Sequence, residues 1–456
     1  MTQIDATDIS SPAEAPPMAR LLSRARVFIT LADQGLVSVA SFATTFLMLH
    51  GVGGHGAVSE NNFAYYTLAQ NLMIWAAEFQ ATLVFTPHTI ITPRLRAAAL
   101  RRFHGSTLIH NFAISALTAI AAIVAAVLTA PHNHDMAIVL AALGAGLLVI
   151  GLRNYARPYA FAQRQPLAAF LLDLGVATLQ IGGLAVLKYF GHLEAWTAIA
   201  TIGVASAVPA FVWLATHWRH FAPNVRHSVE DIKNEWPNTR FVFFSGMVWN
   251  AGMQLYPWLI AVLAGEHEVA VWGACYTLAA VANPLMMGMQ NFIGPRVAEA
   301  AAELPTREFA RRVYRIAIFT AALMAGPAIL LSIFAGKALH LLTHGQFDGQ
   351  HLTISLLCAA IVTQALTFTL SRGLFVIDRA DLDMYCNLLP LATLFTFGVW
   401  ATHAYRVEGA AASMLIAQLF SATSRGVLFA YAISKKSPTT PPLTETRGYA
   451  AVGEAA

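Results

Sequence analysis

Long apolar stretches separated by short polar loops run along almost the whole chain. About twelve such stretches, each of roughly 20 residues without polar alternation, are long enough to cross a bilayer as helices. Only helices and closed barrels satisfy every backbone group in lipid, and barrel strands alternate. The predicted spans are 27–49, 62–86, 108–130, 137–152, 167–188, 195–217, 239–263, 267–292, 313–336, 351–371, 382–403 and 407–432.

The composition agrees with a chain that lies mostly in lipid. Of the 456 residues, 57% are hydrophobic and 11% charged, against about 25% charged in soluble proteins. The net charge of +4 is spread over successive loops, which indicates contact with membrane lipids and not with nucleic acid. Cys275, Cys358 and Cys386 fall inside predicted spans, so neither a disulfide framework nor a metal site is expected.

The loops alternate in charge, and this predicts the orientation. Basic loops hold nearly all of the 28 Lys and Arg residues, whereas the opposite face holds only Lys188, Lys337 and Arg406. The positive-inside rule then places both termini in the cytoplasm. Histidines concentrate on the other, outer face; one hypothesis is that these loops gain positive charge below about pH 6.

Three sequence matches recur in the same order in both halves, which predicts an internal repeat. With six spans in each half, both halves enter the membrane in the same sense, so the repeat is parallel. The matches are Tyr66–Ala69 with Tyr276–Ala279, Ile91–Leu95 with Ile293–Val297, and Arg157/Arg164 with Arg372/Arg379.

The expected fold is therefore an all-α polytopic membrane protein with about twelve helices in two six-helix lobes, a transporter architecture. The predicted organisation is a disordered cytoplasmic tail at 1–26, an N-terminal lobe at 27–217, a cytoplasmic linker at 218–238, a C-terminal lobe at 239–432 and a second tail at 433–456. The cleft between the lobes is the expected substrate path.

Three acids inside predicted spans are candidates for ion coupling, because a buried charge is costly unless it faces a cavity or a partner. By helical rise, Asp33 and Asp173 lie about 9 Å and Glu78 about 12 Å from the cytoplasmic end. At similar depth they would form one protonatable or cation-binding cluster. The alternative is that Asp33 and Asp173 are partly solvated and structural.

Amides in the spans are candidates for the substrate cavity, because amides beside aromatic rings suit sugar hydroxyls, although they also hold membrane helices together. Arg425 would pair with an acid of the first half, bind a phosphate, or extend to the lipid head groups. The cavity candidates are Gln34, Asn250, Gln254, Asn283 and Arg425.

Repeated arginines lie at the predicted cytoplasmic mouth of the cleft. They would capture an anionic head group there, or only enforce the topology. They are Arg157, Arg164, Arg372 and Arg379. No phosphate-binding loop, nucleophile elbow or zinc motif occurs, so neither an enzyme nor a cofactor is predicted.

Three segments resemble those of a known family. Leu31–Ser38 in span 1, and Gly273–Leu278 followed by Pro295–Ala300, resemble bacterial polysaccharide-biosynthesis flippases, the O-antigen and exopolysaccharide exporters of the multidrug/oligosaccharidyl-lipid/polysaccharide superfamily. The resemblance covers roughly residues 25 to 432.

The resemblance implies that the chain flips an undecaprenyl-diphosphate-linked oligosaccharide across the bacterial inner membrane for surface or exopolysaccharide synthesis, by alternating access. Its partners would be that lipid, membrane lipids and polysaccharide polymerase machinery. The alternatives are a cation-coupled exporter of drugs or small metabolites with the same fold, and a non-transporting scaffold for polysaccharide assembly. The sugar repeat, the coupling ion and the oligomeric state do not follow from the sequence.

Overall fold

The computed structural model describes residues 17–49, 58–92, 95, 97–163 and 165–435. Among them, nine helical stretches are long and apolar enough to cross a membrane. One of these, Ala380–Lys435, holds two passes, because its backbone breaks at Arg406, where φ is 49°. Two further helical stretches, which are less apolar, bring the described residues to twelve passes.

The first six passes form the N-terminal lobe. Its helices are α1 (Pro17–Leu49), α2 (Glu60–Gln80), α3 (Thr86–Ile91), α4 (Ala97–Thr129), α5 (His134–Ala162), α6 (Pro166–Tyr189) and α7 (Ala195–His217). A π-helical segment, Ala81–Phe85, joins α2 and α3 into one pass. Local sequence explains two of the helix starts: the Asn133 side chain accepts from the Met136 N–H ahead of α5, and Pro166 opens α6, where a missing N–H costs nothing.

The last six passes form the C-terminal lobe. Its helices are α8 (Val225–Gln254), α9 (Tyr256–Ala264), α10 (Glu266–Ala279), α11 (Asn283–Glu303), α12 (Thr306–Thr343), α13 (His351–Val376), α14 (Ala380–Thr393) and α15 (Val399–Lys435). Pro257 and Pro284 begin new helices within passes seven and eight, because proline cannot donate to the preceding turn. A second π-helical segment, Leu394–Gly398, lies in pass eleven.

The predicted all-α, two-lobed fold is confirmed, while several helix bounds differ from the predicted spans. α1 begins at Pro17, ahead of the span predicted from residue 27, and α5 runs to Ala162, beyond the predicted end at 152. Residues 1–16 and 436–456 of the predicted tails lie outside the described residues.

The two repeated segments face each other where the lobes meet. α2 packs against α10, so the Tyr66–Ala69 and Tyr276–Ala279 segments lie at one interface. Gly273 makes this approach possible: a Cβ there would lie 2.6 Å from Thr67 Oγ1 and 3.0 Å from the Phe63 ring. The close contact of equivalent helices indicates that the repeat axis passes between them.

Candidate functional site

Two aspartates and two arginines form a buried ion cluster inside the N-terminal lobe. Arg157 Nη2 on α5 donates to Asp33 Oδ2 on α1 at 2.6 Å. Arg157 Nε lies 2.8 Å from Asp173 Oδ2 on α6, although its N–H does not point at that oxygen. Arg153, one turn earlier on α5, donates to Asp173 Oδ1. The cluster balances two negative against two positive charges and joins three passes.

A cavity of about 220 Å³ borders this ion cluster within the lobe. Arg153 and Asp173 line it together with the polar side chains of Asn154 and Gln180. Both carboxylates of the cluster are buried, whereas the arginine side chains remain 21% and 23% exposed. An ion or water that enters this cavity can therefore approach the cluster from the arginine side.

A larger cavity of about 660 Å³ lies between the two lobes. Its size falls in the usual range for small-molecule sites. None of the described residues that line it is charged. Its polar and aromatic lining includes Gln70, Asn71, Gln254, Asn283, Trp272 and Tyr276. Gln70 also lines the smaller cavity, so the two spaces adjoin.

Hydrogen bonds join the lobes at the predicted outer end of this central cavity. Glu266 at the start of α10 accepts from Tyr65 Oη at 2.7 Å and from Asn133 Nδ2 at 3.0 Å. Nearby, His267 Nδ1 lies 2.7 Å from Glu60 Oε2. These contacts cross from α10 to α2 and to the start of α5, so they hold these ends of the two lobes together.

Glu78 lies at a different place from the two aspartates. Its carboxylate faces α8 of the opposite lobe, where a Cβ on Gly246 would lie 2.9 Å from Glu78 Oε1. Beside it, the Phe79 and Phe243 rings lie 5.9 Å apart and continue the contact between α2 and α8. Of the three acids that were expected to form one cluster, Asp33 and Asp173 lie together, whereas Glu78 lies at the interface between the lobes.

The C-terminal lobe holds its own buried polar cluster around Arg425, whose side chain is 2% exposed. Arg425 Nε donates to Asp383 Oδ1 at 2.8 Å, and its Nη2 donates to Asn387 Oδ1 at 2.5 Å. Asn387 Nδ2 donates to Ser245 Oγ at 2.8 Å, and Ser421 accepts from Arg425. Arg425 thus pairs within its own lobe instead of with an acid of the first half, and it does not reach the head groups.

The remaining cavity candidates have different environments. Gln254 and Asn283 line the central cavity, as expected for substrate contact. Asn250 is 3% exposed, and Gln34 is half-buried; neither lines the central cavity.

The predicted arginines of the mouth are not equivalent. Arg157 belongs to the buried ion cluster, while Arg372 is exposed on α13. Arg379 donates to its neighbour Asp381 through two nitrogens, each at 2.9 Å. Arg164 lies outside the described residues.

Sequence reasoning missed Arg153, Asp383 and Asn387. Arg153 follows directly after the predicted span 137–152, so the spans alone place it in a loop. A signal was present, since Arg153 and Arg157 are four residues apart, so they share one helix face opposite buried acids that need partners. Asp383 lies near the start of the fifth pass of its lobe, as Asp173 does in the other, so the repeat pointed to it.

The described residues contain no group of three or more His, Cys, Asp or Glu side chains that could hold a metal ion. No protein-family model and no curated protein sequence matches the chain.

Solved structures resemble the chain over most of its length. One is an inward-facing MATE family multidrug resistance transporter of the MOP superfamily, with TM-score 0.70, 13% identity, and coverage of 90% of this chain and 98% of that one. An outward-facing structure described in the same words gives TM-score 0.64 at 14% identity, covering 90% and 96%. A MOP superfamily transporter from Pyrococcus furiosus gives 0.65 at 14%, also covering 90% and 96%. The chain therefore has the fold of the MATE transporters of the MOP superfamily.

Proposed function

We propose that the chain moves a lipid-linked oligosaccharide, with an undecaprenyl-diphosphate carrier, from the inner to the outer leaflet of a bacterial inner membrane. The sugar part would occupy the central cavity while the prenyl tail stays in lipid. The two lobes would then rock about the repeat axis and open the cavity to the other side. Polysaccharide polymerase machinery would be a partner that receives the product.

The neutral lining of the central cavity is the observation that carries this proposal. Amides such as Gln254 and Asn283 both donate and accept hydrogen bonds, which matches sugar hydroxyls. The Trp272 and Tyr276 rings offer flat apolar surfaces beside them. Two buried acids near this space, Asp33 and Asp173, are already engaged by arginines of the N-terminal lobe.

The same ion cluster supports coupling to an ion or proton gradient. Protonation of Asp33 would remove one of the two negative charges that hold Arg157, and that arginine would then favour a different arrangement of α1, α5 and α6. Glu78, at the contact between α2 and α8, is a second coupling candidate, because its charge state acts directly on the interface between lobes.

A cation-coupled exporter of drugs or small metabolites is the second candidate. The similar structures include transporters described as multidrug resistance proteins, which favours it. Against it, a cationic drug would enter the central cavity without meeting a carboxylate among the described lining residues. The cavity chemistry therefore favours a neutral, hydroxyl-rich cargo.

Complementation distinguishes the two candidates. The chain is expressed in a bacterial strain that lacks its polysaccharide flippase, and surface polysaccharide is measured together with resistance to lipophilic cations. We expect rescue of polysaccharide by the native chain and loss of rescue in Gln254→Leu/Asn283→Leu. Gln290→Leu, on α11 but outside the cavity lining, is the matched control. Drug resistance without polysaccharide rescue would favour the exporter instead.

A further inference from the structure

A third cavity lies away from the central one, on the surface of the C-terminal lobe. It has a volume of about 500 Å³ and lies between α11 and α12. It shares no described lining residue with the central cavity. Its lining has a basic part and an apolar part. Arg296, Arg312 and Arg315 form the basic part, and a set of apolar side chains forms the other.

The order of residues along the helices separates these two parts by depth. On α12, Arg312 and Arg315 come first, and Phe319 and Leu323 follow on the same helix face. Leu323 lies about 12 Å further along the helix than Arg315, at 1.5 Å per residue. Both arginines therefore lie at the basic face of the membrane, and the apolar side chains lie deeper.

α11 repeats this arrangement in the opposite direction. Met289 and Ile293 line the cavity first, and Arg296 follows one turn later, nearer the same basic face. Two antiparallel helices thus bring three guanidinium groups to one rim, with a mainly apolar groove below, in which Thr320 is the polar residue among the described lining residues. This polarity matches a phospholipid, which has a phosphate at the surface and an acyl chain that runs inward.

The three arginines are free to bind an anion. In the part of the chain that the structure describes, none of them forms an ion pair with a carboxylate, whereas Arg102, Arg379 and Arg406 do. All three are exposed, and no acidic residue lines the cavity. Phe319 and Leu323 are 66% and 42% exposed, so the groove faces the surrounding lipid and not the interior of the lobe.

We propose that this cavity binds a resident anionic glycerophospholipid, with its phosphate on Arg296, Arg312 and Arg315 and an acyl chain along Met289, Ile293, Phe319 and Leu323. Basic pockets between membrane helices at an anionic leaflet suit such head groups. The site is separate from the central cavity, so its occupant is a lipid that stays with the protein and not the transported cargo.

The test is lipid binding to the purified full-length chain, measured by native mass spectrometry during titration with cardiolipin, phosphatidylglycerol, phosphatidylethanolamine or undecaprenyl diphosphate. We expect the first two to bind in preference to the zwitterionic lipid. Arg296→Gln/Arg312→Gln/Arg315→Gln should weaken cardiolipin binding on the order of 100-fold, since each basic residue near an anionic head group contributes roughly fivefold.

Two matched controls separate this site from general surface charge. Arg219→Gln/Arg307→Gln/Arg311→Gln removes the same charge from exposed arginines outside the cavity lining and should leave cardiolipin binding within about twofold. Phe319→Ala should weaken binding, whereas Ile318→Ala, a neighbour 64% exposed outside the cavity lining, should not.

Two results would overturn the proposal. Equal loss of cardiolipin in both arginine triple variants would mean that only overall charge attracts the lipid. Preferential binding of undecaprenyl diphosphate that depends on the same three arginines would assign the cavity to cargo entry instead.

Discussion

Arg157 on the fourth pass lies 2.6 Å from Asp33 on the first and 2.8 Å from Asp173 on the fifth, so one guanidinium group links three helices of the N-terminal lobe. Any movement of α1 relative to α6 must therefore rearrange this one side chain. An arginine suits such a position because its planar fork can bind two carboxylates at once and does not lose its charge.

Asp33→Asn should destabilise the protein because it leaves two arginines with one aspartate. We expect a loss of about 2 kcal/mol, below the 3 to 5 kcal/mol typical of fully buried pairs, since the arginines keep contact with solvent. Asp33→Asn/Arg157→Gln leaves the balanced pair of Arg153 and Asp173, so it should be more stable than Asp33→Asn. Thermal unfolding of the four proteins in this double-mutant cycle measures the coupling. Simple additivity of the two single losses would show that the bond contributes nothing.

Arg425→Gln should cost more, about 3 to 5 kcal/mol, because it leaves the Asp383 carboxylate buried without its cation. Asp383→Asn/Arg425→Gln removes both charges and should recover most of this loss. Arg425→Lys should recover little, since one ammonium group cannot replace the separate bonds to Asp383 and Asn387. The unfolding midpoint in denaturant measures the effect, with the exposed Arg372→Gln as control. A stable Arg425→Gln protein with impaired transport would assign Arg425 to the cargo instead.

Glu266→Gln should open the predicted outer end of the protein. It weakens the bonds from Tyr65 and Asn133 that join the lobes, and hydrogen bonds to a charged group contribute about 1.5 to 3 kcal/mol each. The population open at this end should then rise about tenfold or more. Spin labels on Phe190→Cys and Leu341→Cys, both exposed near the same end, report the distance between lobes.

Glu194→Gln is the control for that experiment, because Glu194 bonds Trp196 within the N-terminal lobe. An unchanged distance distribution in Glu266→Gln would mean that the outer contacts do not set the equilibrium between the two states.

Glu235, on α8 ahead of the predicted seventh span, should make stability depend on pH. Burial, together with repulsion from Asp231, raises the pKa of Glu235 from its ordinary 4.5 to about 7. Between these values the folded protein keeps a proton that the unfolded chain has released, so stability falls as pH rises from 4.5 to 7. Glu235→Gln should therefore raise the free energy of unfolding at pH 8, by roughly 1 to 2 kcal/mol after allowance for solvent screening, but not at pH 4. Unfolding curves recorded at both pH values measure this difference.

Glu230→Gln, a more exposed acid on the same helix, is the control and should keep the slope of the native protein. If Glu235→Gln also kept that slope, the pH dependence would come from other groups.

The sequence was sufficient to predict the fold, because the spans follow from local composition and the repeat from matching residues in the two halves. It also identified Asp33 and Asp173 as functional candidates, and the structure brings them together. It failed for Glu78 because helical rise gives the depth of a residue, whereas its direction around the helix decides which neighbour it meets. Depth alone therefore groups the three acids, although one of them faces the other lobe.

The sequence also did not predict which acids pair with the arginines inside the lobes. The positive-inside rule treats an arginine at the end of a span as a loop residue, yet Arg153 and Arg157 continue α5 because acids on α1 and α6 balance their charge. The partner of Arg425 depended on which helices adjoin within a lobe, and that information is absent from a list of spans. The repeat would have helped, by placing Asp383 beside Asp173 in the alignment of the two halves.

The two buried clusters also determine how the membrane voltage acts on the protein. With their acids ionised, Asp33 and Asp173 balance Arg153 and Arg157, and Asp383 balances Arg425, so each cluster carries no net charge. With Glu78 protonated as well, rocking the lobes does almost no electrical work, whereas moving one unit charge across 100 mV involves about 2.3 kcal/mol. The voltage sensitivity of a transport cycle would then report the charge of the cargo and of any accompanying proton or ion, and not the movement of the helices.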